Sequence, residues 1–400
     1  MPTPSTRPSR GRSSLVGQRP RASSGPSRIL LPQEPNPRPP APVAVGMMDI
    51  ARQTGVSIGT VHRALTDKPG VSPGTRERVL AAAAALGYTP NLAARYLSSR
   101  RPMRIGVHLP DRNALFWDAL RQGIREAAGP FAPAIKVEFQ TYPRLGEGDV
   151  PLFERALADG TDALIIAPGN PVALAPYLEE ADRRHIPVVC VITDAPHTPR
   201  LLSVSADSFT VGAIAGELLG RFLPGGGQVA FFTGWLTTQD HGEKLLGFAS
   251  SLAAINPRLT LGPIVEAHDD EREARRRTRE VLRAHPQLQG LYISTSNSMA
   301  VLDAAEREGR LDGLTVVATD LFPELVERIR AGKVAATVYQ RPLTQGRIAV
   351  QSICQFFQSR RRPASNQRVV PYLVMRSNLD VVLERLSADH TGEVKHLQRA

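Results

Sequence analysis

The sequence predicts a small all-α head followed by an α/β body of two doubly wound lobes. Three observations lead there. Positive charge is concentrated in the first quarter of the chain, short amphipathic helices follow one another between residues 47 and 86, and from Arg104 onward brief apolar runs alternate with amphipathic helices. A length of 400 residues allows two to three domains. Hydrophobic residues at 42% and charged residues at 22% are ordinary for a soluble chain able to bury a sizeable core. No apolar run approaches the ~20 residues of a membrane-spanning helix, so no membrane partner is expected. Cys190 and Cys354 are too few and too far apart for a disulfide framework or a Cys-rich zinc site, and they suit a reducing cytoplasm.

The basic charge is informative once it is located. Residues 1–44 hold seven Arg against one acid, Glu34. Residues 45–104 hold nine Lys and Arg against Asp49, Asp67 and Glu77. These two stretches account for the whole +11, so the body beyond them is near neutral. A basic head on a neutral body suggests polyanion binding joined to a separate task. Eleven prolines, many serines and no hydrophobic period make residues 1–45 an expected disordered tail. That tail lacks the apolar region of a secretory leader, and its proline density argues against a transit-peptide helix. Met47 and Met48 stand just before the first folded element, so an internal start that leaves the tail dispensable is an expectation.

The head, 46–90, is built from caps and turns. Met48, Ile50 and Ala51 lie on a short helix closed by Gly55, where a φ above zero suits glycine. Ser57 caps a second helix whose Val61 and Leu65 share a buried face. Asp67-Lys68-Pro69-Gly70 is a turn. Ser72-Pro73 starts a third helix that buries Val79, Ala83 and Leu86 and ends at Gly87. Ala51 lets the second helix cross closely, and Val56 and Val61 fill the angle. This is helix-turn-helix logic, which places the second helix in the DNA major groove.

The body alternates strands and helices. Expected strands are Ile105–Leu109, Lys136–Thr141, Ala163–Ala167, Val188–Ile192, Gln228–Thr233, Leu291–Ser294 and Val316–Thr319. Expected helices are Phe116–Ala128, Leu152–Asp159, Val172–Arg184, Thr210–Phe222, Glu243–Ile255, Asp270–Arg283, Met299–Glu308 and Phe322–Ala331. Such a βαβ rhythm implies parallel sheets covered on both faces. No repeat of 20–50 residues is visible.

Residues 47–98 resemble the N-terminal domain of the lactose/galactose-repressor (LacI/GalR) family. The likeness is carried by Asp49–Leu65, by Val71-Ser72-Pro73-Gly74-Thr75-Arg76-Glu77-Arg78-Val79, and by Leu86-Gly87-Tyr88-Thr89-Pro90-Asn91-Leu92-Ala93-Ala94. The stretch from 104 to about 386 is similar to that family's periplasmic-binding-protein-like (type I) sugar-sensing and dimerisation domain. The resemblance implies that Ile58, Gly59 and Arg63 face the major groove. It implies that Ser57, Thr60, Thr75, Tyr88 and Asn91 hold phosphates, with His62 and Ala94 also in the DNA-facing set. Leu97 would wedge into the minor groove from a hinge helix, the linker being 91–103. Ile58, Gly59, His62 and Thr66 depart from the usual residues of that family. Ile58 favours a thymine methyl, and His62 or Arg63 can donate to guanine. Asn91–Ser98 is shorter than the ~12–15 residues an isolated helix needs, so its helix is expected to form only on DNA.

Effector candidates follow by position from a similarity to ribose-type binding proteins. They are Phe116 and Trp117 as stacking rings, Asp194, His241, Lys244, Ser296, Asn297, Asp320 and Gln340. Other readings of the same residues stand beside these. Phe116 and Trp117 fit ordinary core, Asp194 and Asp320 fit caps or turns, and Lys244 and His241 fit a solvated helix face. Lys244 also stands where Arg is common, which removes a planar fork. Gly55-Val56-Ser57-Ile58-Gly59 spells a nucleophile elbow, but a helix precedes it where a strand is needed. Gly225-Gly226-Gly227 lacks the Lys of a phosphate loop and suits a turn. No metal-binding spacing, cofactor motif or catalytic set emerges. The expectation is a cytoplasmic, homodimeric DNA-binding regulator, a repressor, that takes operator DNA and a sugar or polyol. The rivals are a sugar-binding protein and an α/β sugar enzyme without a DNA role. Residues 387–400 are expected to be a tail without a leucine heptad.

Overall fold

The computed structural model describes residues 45–65, 68–88, 101–111, 114–359 and 361–389. The expected tail, the hinge residues Asn91, Ala94 and Leu97, and residues 390–400 lie outside them. The chain divides into two compact units at Ala82.

In the first unit, α1 (Met47–Thr54), α2 (Ile58–Leu65) and α3 (Pro73–Ala85) begin and end on local hydrogen bonds. Gly46 N–H donates to Asp49 Oδ2 at 2.9 Å. Gly55, at φ 70°, closes α1 by donating its N–H to Ala51 O. Ser57 Oγ accepts Thr60 N–H at 3.2 Å, and Ser72 Oγ accepts Thr75 N–H at 3.3 Å, which satisfies amides that a helix start leaves without partners. Ile50, Val61, Ala64 and Val79 are buried. Arg76 ties the end of α2 to α3 by donating to Ala64 O and Lys68 O, at 3.3 and 2.8 Å.

The second unit has two lobes. Lobe 1 contains β1 (Met103–Pro110), α4 (Ala114–Ala128), β2 (Ile135–Tyr142), α5 (Asp149–Ala158), β3 (Ala163–Ile166), α6 (Pro171–Arg183), β4 (Val188–Val191) and β5 (Leu202–Ala206). Lobe 2 contains α7 (Ser208–Phe222), β6 (Gly227–Thr233), α8 (Gln239–Ile255), β7 (Leu259–Glu266), α9 (Glu271–Ala284), β8 (Leu288–Ile293), α10 (Ser298–Arg307), β9 (Thr315–Thr319), α11 (Pro323–Arg330) and β10 (Ala336–Tyr339). The chain then returns through α12 (Pro342–Ser359) and β11 (Asn366–Val369) to lobe 1, and ends in lobe 2 with β12 (Tyr372–Val374) and α13 (Leu379–Asp389). The backbone therefore passes between lobes after β5, after β10 and after β11.

Both sheets have the same strand order, β2-β1-β3-β4-β5-β11 and β7-β6-β8-β9-β10-β12. Every pairing is parallel except that of β12 with β10. Parallel strands buried on both faces read as unbroken apolar runs, as in Ala163–Ile166 and Val188–Val191. The sheets bring seven elements beyond the expected set, namely β5, β7, β10, β11, β12, α12 and α13. Some ends shift by a few residues, as in β8, which begins at Leu288.

Two helix pairs pack backbone against backbone, and glycine permits it. A Cβ at Gly212 of α7 would land on Lys244 O of α8, and one at Gly247 of α8 would land on Phe209 O of α7. Gly123 of α4 and Gly346 of α12 meet Leu343 O and Leu120 O in the same way. The first crossing fixes the helix that carries Lys244.

Candidate functional site

On the head, Ser57, Ile58, Gly59, His62 and Arg63 lie on the exposed side of α2, and Thr60 and Thr75 are half-buried. Ile58 is 43% exposed. The capped N-terminus of α2 opens on the same side. Tyr88 follows α3, half-buried, with its N–H on Ala83 O at 2.8 Å.

The body gathers its polar groups between the lobes, at the carboxyl ends of the strands, where doubly wound sheets place their sites. A cavity of about 30 Å³ lies there, lined by Trp117, His241, Lys244, Asp269, Asp320 and Gln340 among others. Phe116 and Ser296 also reach it. A larger, mostly apolar cavity of about 400 Å³ shares Phe116 and Asp320 and continues along Leu115, Gln122, Arg125 and Phe322. The larger cavity also carries Asp118 and Arg125; the small one gathers Asp240, His241, Lys244, Asp269 and Asp320 and is the candidate recognition site.

Phe116 and Trp117 start on α4, and their rings stand at 89° with centroids 5.0 Å apart. They are core and wall at once. On α8, Lys244 Nζ donates to Asp240 Oδ2 at 3.1 Å, with Lys244 only 2% exposed. His241 Nε2 faces the same oxygen at 3.6 Å. Trp235 N–H lies 3.0 Å from His241 Nδ1, and the same nitrogen lies 3.2 Å from Trp235 O. Burial pushes the Asp240 carboxyl up, but the charges of His241 and Lys244 and hydrogen bonds from Lys244 and Thr238 outweigh it and hold it at about 2. The solvated-face reading of Lys244 and His241 is thus corrected: the glycine crossing of α7 and α8 draws this end of α8 inward.

Asp320 follows β9 in a left-handed conformation, φ 73°. Gln340 Nε2, after β10, donates to its two carboxylate oxygens at 3.1 and 3.0 Å. Burial drives the Asp320 carboxyl up to about 6, against the pull of the Lys244 charge and the Gln340 hydrogen bonds. Asp269, after β7, is also left-handed, and accepts Thr295 Oγ1–H at 2.8 Å. Sequence reasoning missed Asp240, Asp269 and Thr295. The signal for Asp240 was its place one residue before His241.

Two candidates stand apart. Asp194 accepts from Arg200 at 2.5 Å and from Ala195 N–H at 2.7 Å, and lines an adjoining cavity of about 40 Å³ with Asn366 and Arg368, which shares Ile192 and Asp240 with the first. Asn297 is buried at the start of α10, off the wall of the recognition cavity.

A pH dependence follows from Asp320, which interacts with Lys244, Gln340, Asp240 and Tyr292. Its folded carboxyl holds a proton up to about 6, whereas the unfolded one releases it near 3.8. The folded state binds more protons in that window, so stability is higher at the acid end and falls as pH rises from about 4 to 6. Asp320→Asn is expected to flatten this slope in denaturant titrations of the unliganded chain; an unchanged slope would remove Asp320 as its source.

This architecture is that of a two-lobed ligand-binding domain carrying a helical head. Residues 105–360 match the family described as periplasmic binding protein domain, and the chain belongs to it; residues 46–91 match bacterial regulatory proteins, lacI family. Catabolite control protein A of Priestia megaterium is 29% identical over 209 residues, 52% of this chain and 61% of that protein. The ribose operon repressor of Bacillus subtilis is 33% identical over 180 residues, 43% of this chain and 49% of that one. The chain thus spans about half to three-fifths of these two relatives. A glucose-galactose binding protein from Geobacillus stearothermophilus shares the fold at a TM-score of 0.64 and 22% identity, covering 70% of this chain and 99% of its own. A solute binding protein of Bacillus halodurans with bound myo-inositol does so at 0.63 and 18%, covering 70% and 96%. Among the described residues no helix is long and apolar enough to cross a membrane.

Proposed function

We propose that this chain is a cytoplasmic, homodimeric DNA-binding transcription regulator, a repressor in its simplest form. A sugar or polyol entering between the lobes changes its affinity for an operator. The observation that carries this reading is the union, in one chain, of a lacI-type head and a two-lobed body whose cavity joins aromatic rings to convergent carboxylates, lysine and amide. Rings cover the C–H faces of a polyol, and the polar groups take its hydroxyls. The relatives named as repressor and catabolite control protein support the DNA role, and solved structures with bound D-allose or myo-inositol support the ligand class. Phosphates would meet the N-terminus of α2, and Ile58 and Arg63 would meet base edges. Ligand-driven movement of the lobes would reach the head through residues 91–103, with Leu97 as the minor-groove wedge. A coupling of ~1–3 kcal/mol would change operator affinity ~5–150-fold. This reading assigns no catalytic residue and no cofactor.

The test is selection of genomic duplex fragments by the purified full chain, followed by binding titrations against salt. The expected result is a recovered pseudo-palindrome whose affinity falls steeply with ionic strength. Arg63→Ala should weaken that site by about 1–3 kcal/mol while sparing the melting temperature. Recovery of random fragments only, or an Arg63→Ala protein that binds like the parent, counts against the proposal.

A further inference from the structure

The recognition cavity carries more negative than positive charge. Asp240, Asp269 and Asp320 all line it and are each more than nine-tenths buried. Among the described residues Lys244 is the one ammonium on its wall, and Asp240 already engages it. His241 turns its Nε2 to that same carboxylate. Asp269 and Asp320 are met by neutral donors, the Thr295 hydroxyl and the Gln340 amide. No basic side chain among the described residues forms a direct ion pair with either, although the Lys244 charge also acts on Asp320. A further acceptor is left over as well, because Asp240 Oδ1 is buried without a hydrogen-bond partner.

Burying carboxylates without a compensating cation is expensive. Hydroxyl groups of a neutral sugar donate hydrogen bonds to them but add no charge. An ammonium does both, and charge-assisted bonds are roughly twice as strong as neutral ones. The indole of Trp117 on the same wall adds a π-face that attracts a cation. We propose that the effector is an amino-substituted sugar or polyol whose ammonium is held by the carboxylates of Asp320 and Asp269. This narrows the ligand class of the site given above and rests on that reading. The upward displacement of the Asp320 carboxyl agrees with it, since that group stays reluctant to ionise until a cation arrives.

The experiment is a thermal-shift titration of the full chain at pH 7.5 with matched pairs. These are D-glucosamine against D-glucose, D-galactosamine against D-galactose, and 1-amino-1-deoxysorbitol against sorbitol, with N-acetyl-D-glucosamine as the uncharged amide. At least one amine is expected to bind about tenfold or more tighter than its hydroxyl parent. Acetylation should remove that advantage, and so should Asp320→Asn. Asp269→Asn repeats the comparison if the first variant does not fold. A neutral polyol that binds as well as the amines overturns the amine assignment and leaves the polyol site standing. An advantage that survives in the folded variants overturns the assignment of these carboxylates. Absence of any response to both series overturns the amine assignment and the polyol-effector reading together.

Discussion

Gly247→Ala is expected to destabilise lobe 2 sharply and to lower the melting temperature of the body on the order of 5–10 °C. Two effects oppose each other at this position. Alanine is a better helix former than glycine by about 1 kcal/mol, which favours the variant. Its methyl, however, would fall on Phe209 O and close to Ala213 N, and these are backbone atoms of α7. They cannot rotate away as a side chain could, so α7 and α8 must move apart. Overpacking of this kind costs about 1–3 kcal/mol or more, and the contact with backbone puts it at the upper end. Separation of the helices would also shift Lys244, so polyol-induced stabilisation should weaken in the same protein. Gly225→Ala is the control: it meets nothing within 4 Å and its φ is not positive, so its melting temperature should match the parent. An unchanged melting temperature for Gly247→Ala would show that the helices do not meet through their backbones.

Lys244→Met is the second large effect. It keeps most of the apolar stem and deletes the charge. Asp240 is then left 4% exposed, with the His241 ring as its remaining basic neighbour, and removing one partner of a buried pair costs about 3–5 kcal/mol. The two proteins should also differ in their response to acid. In the parent, the Asp240 carboxyl lies at about 2, below its ordinary value of 3.8. Its stabilising contribution is therefore present above pH 4 and is lost as pH falls toward 2. In the variant, burial dominates and raises that carboxyl, so the variant should recover part of its deficit on acidification. Lys244→Met combined with Asp240→Asn should regain part of the lost stability, since the Asp240 charge is removed together with its partner. Denaturant unfolding at pH 7 and pH 4.5 reads both statements. A single variant as stable as the parent at pH 7 would mean that the pair is solvated.

The head was legible residue by residue because its signals are local. Gly55, Ser57, Ser72 and Pro73 set helix ends through atoms no more than four residues away. Most central strands were legible as apolar runs. The edge strand β7 was not, because Gly262 and Pro263 interrupt Leu259–Glu266. An edge position tolerates that proline, and the register against β6 shifts there. With the strand unseen, Asp269 at its carboxyl end had no frame. β5 hid for a different reason: Ser203 and Ser205 alternate with apolar residues, although the strand lies inside the sheet. In α12, Gly346 weakens the helical signal, and its use is apparent only where Leu120 O of α4 passes.

By itself the sequence determined the head, the alternation of strands and helices in the body, the position of the charge and the class of the chain, since these follow from caps, periods and motifs read over a few neighbours. The common strand order of the two lobes appears without any repeat in sequence, because burial constrains polarity and leaves residue identity free. Which charges meet was decided by the tertiary structure alone. Asp240, in the first turn of α8 after β6, meets Asp269 and Asp320, which follow β7 and β9, because parallel strands of one sheet end at the same edge. Asp194, equally plausible on paper, is drawn away by Arg200 six residues on. Electrostatic balance in a closed space depends on distances between remote parts of the chain, and those distances exist only once the sheets have formed.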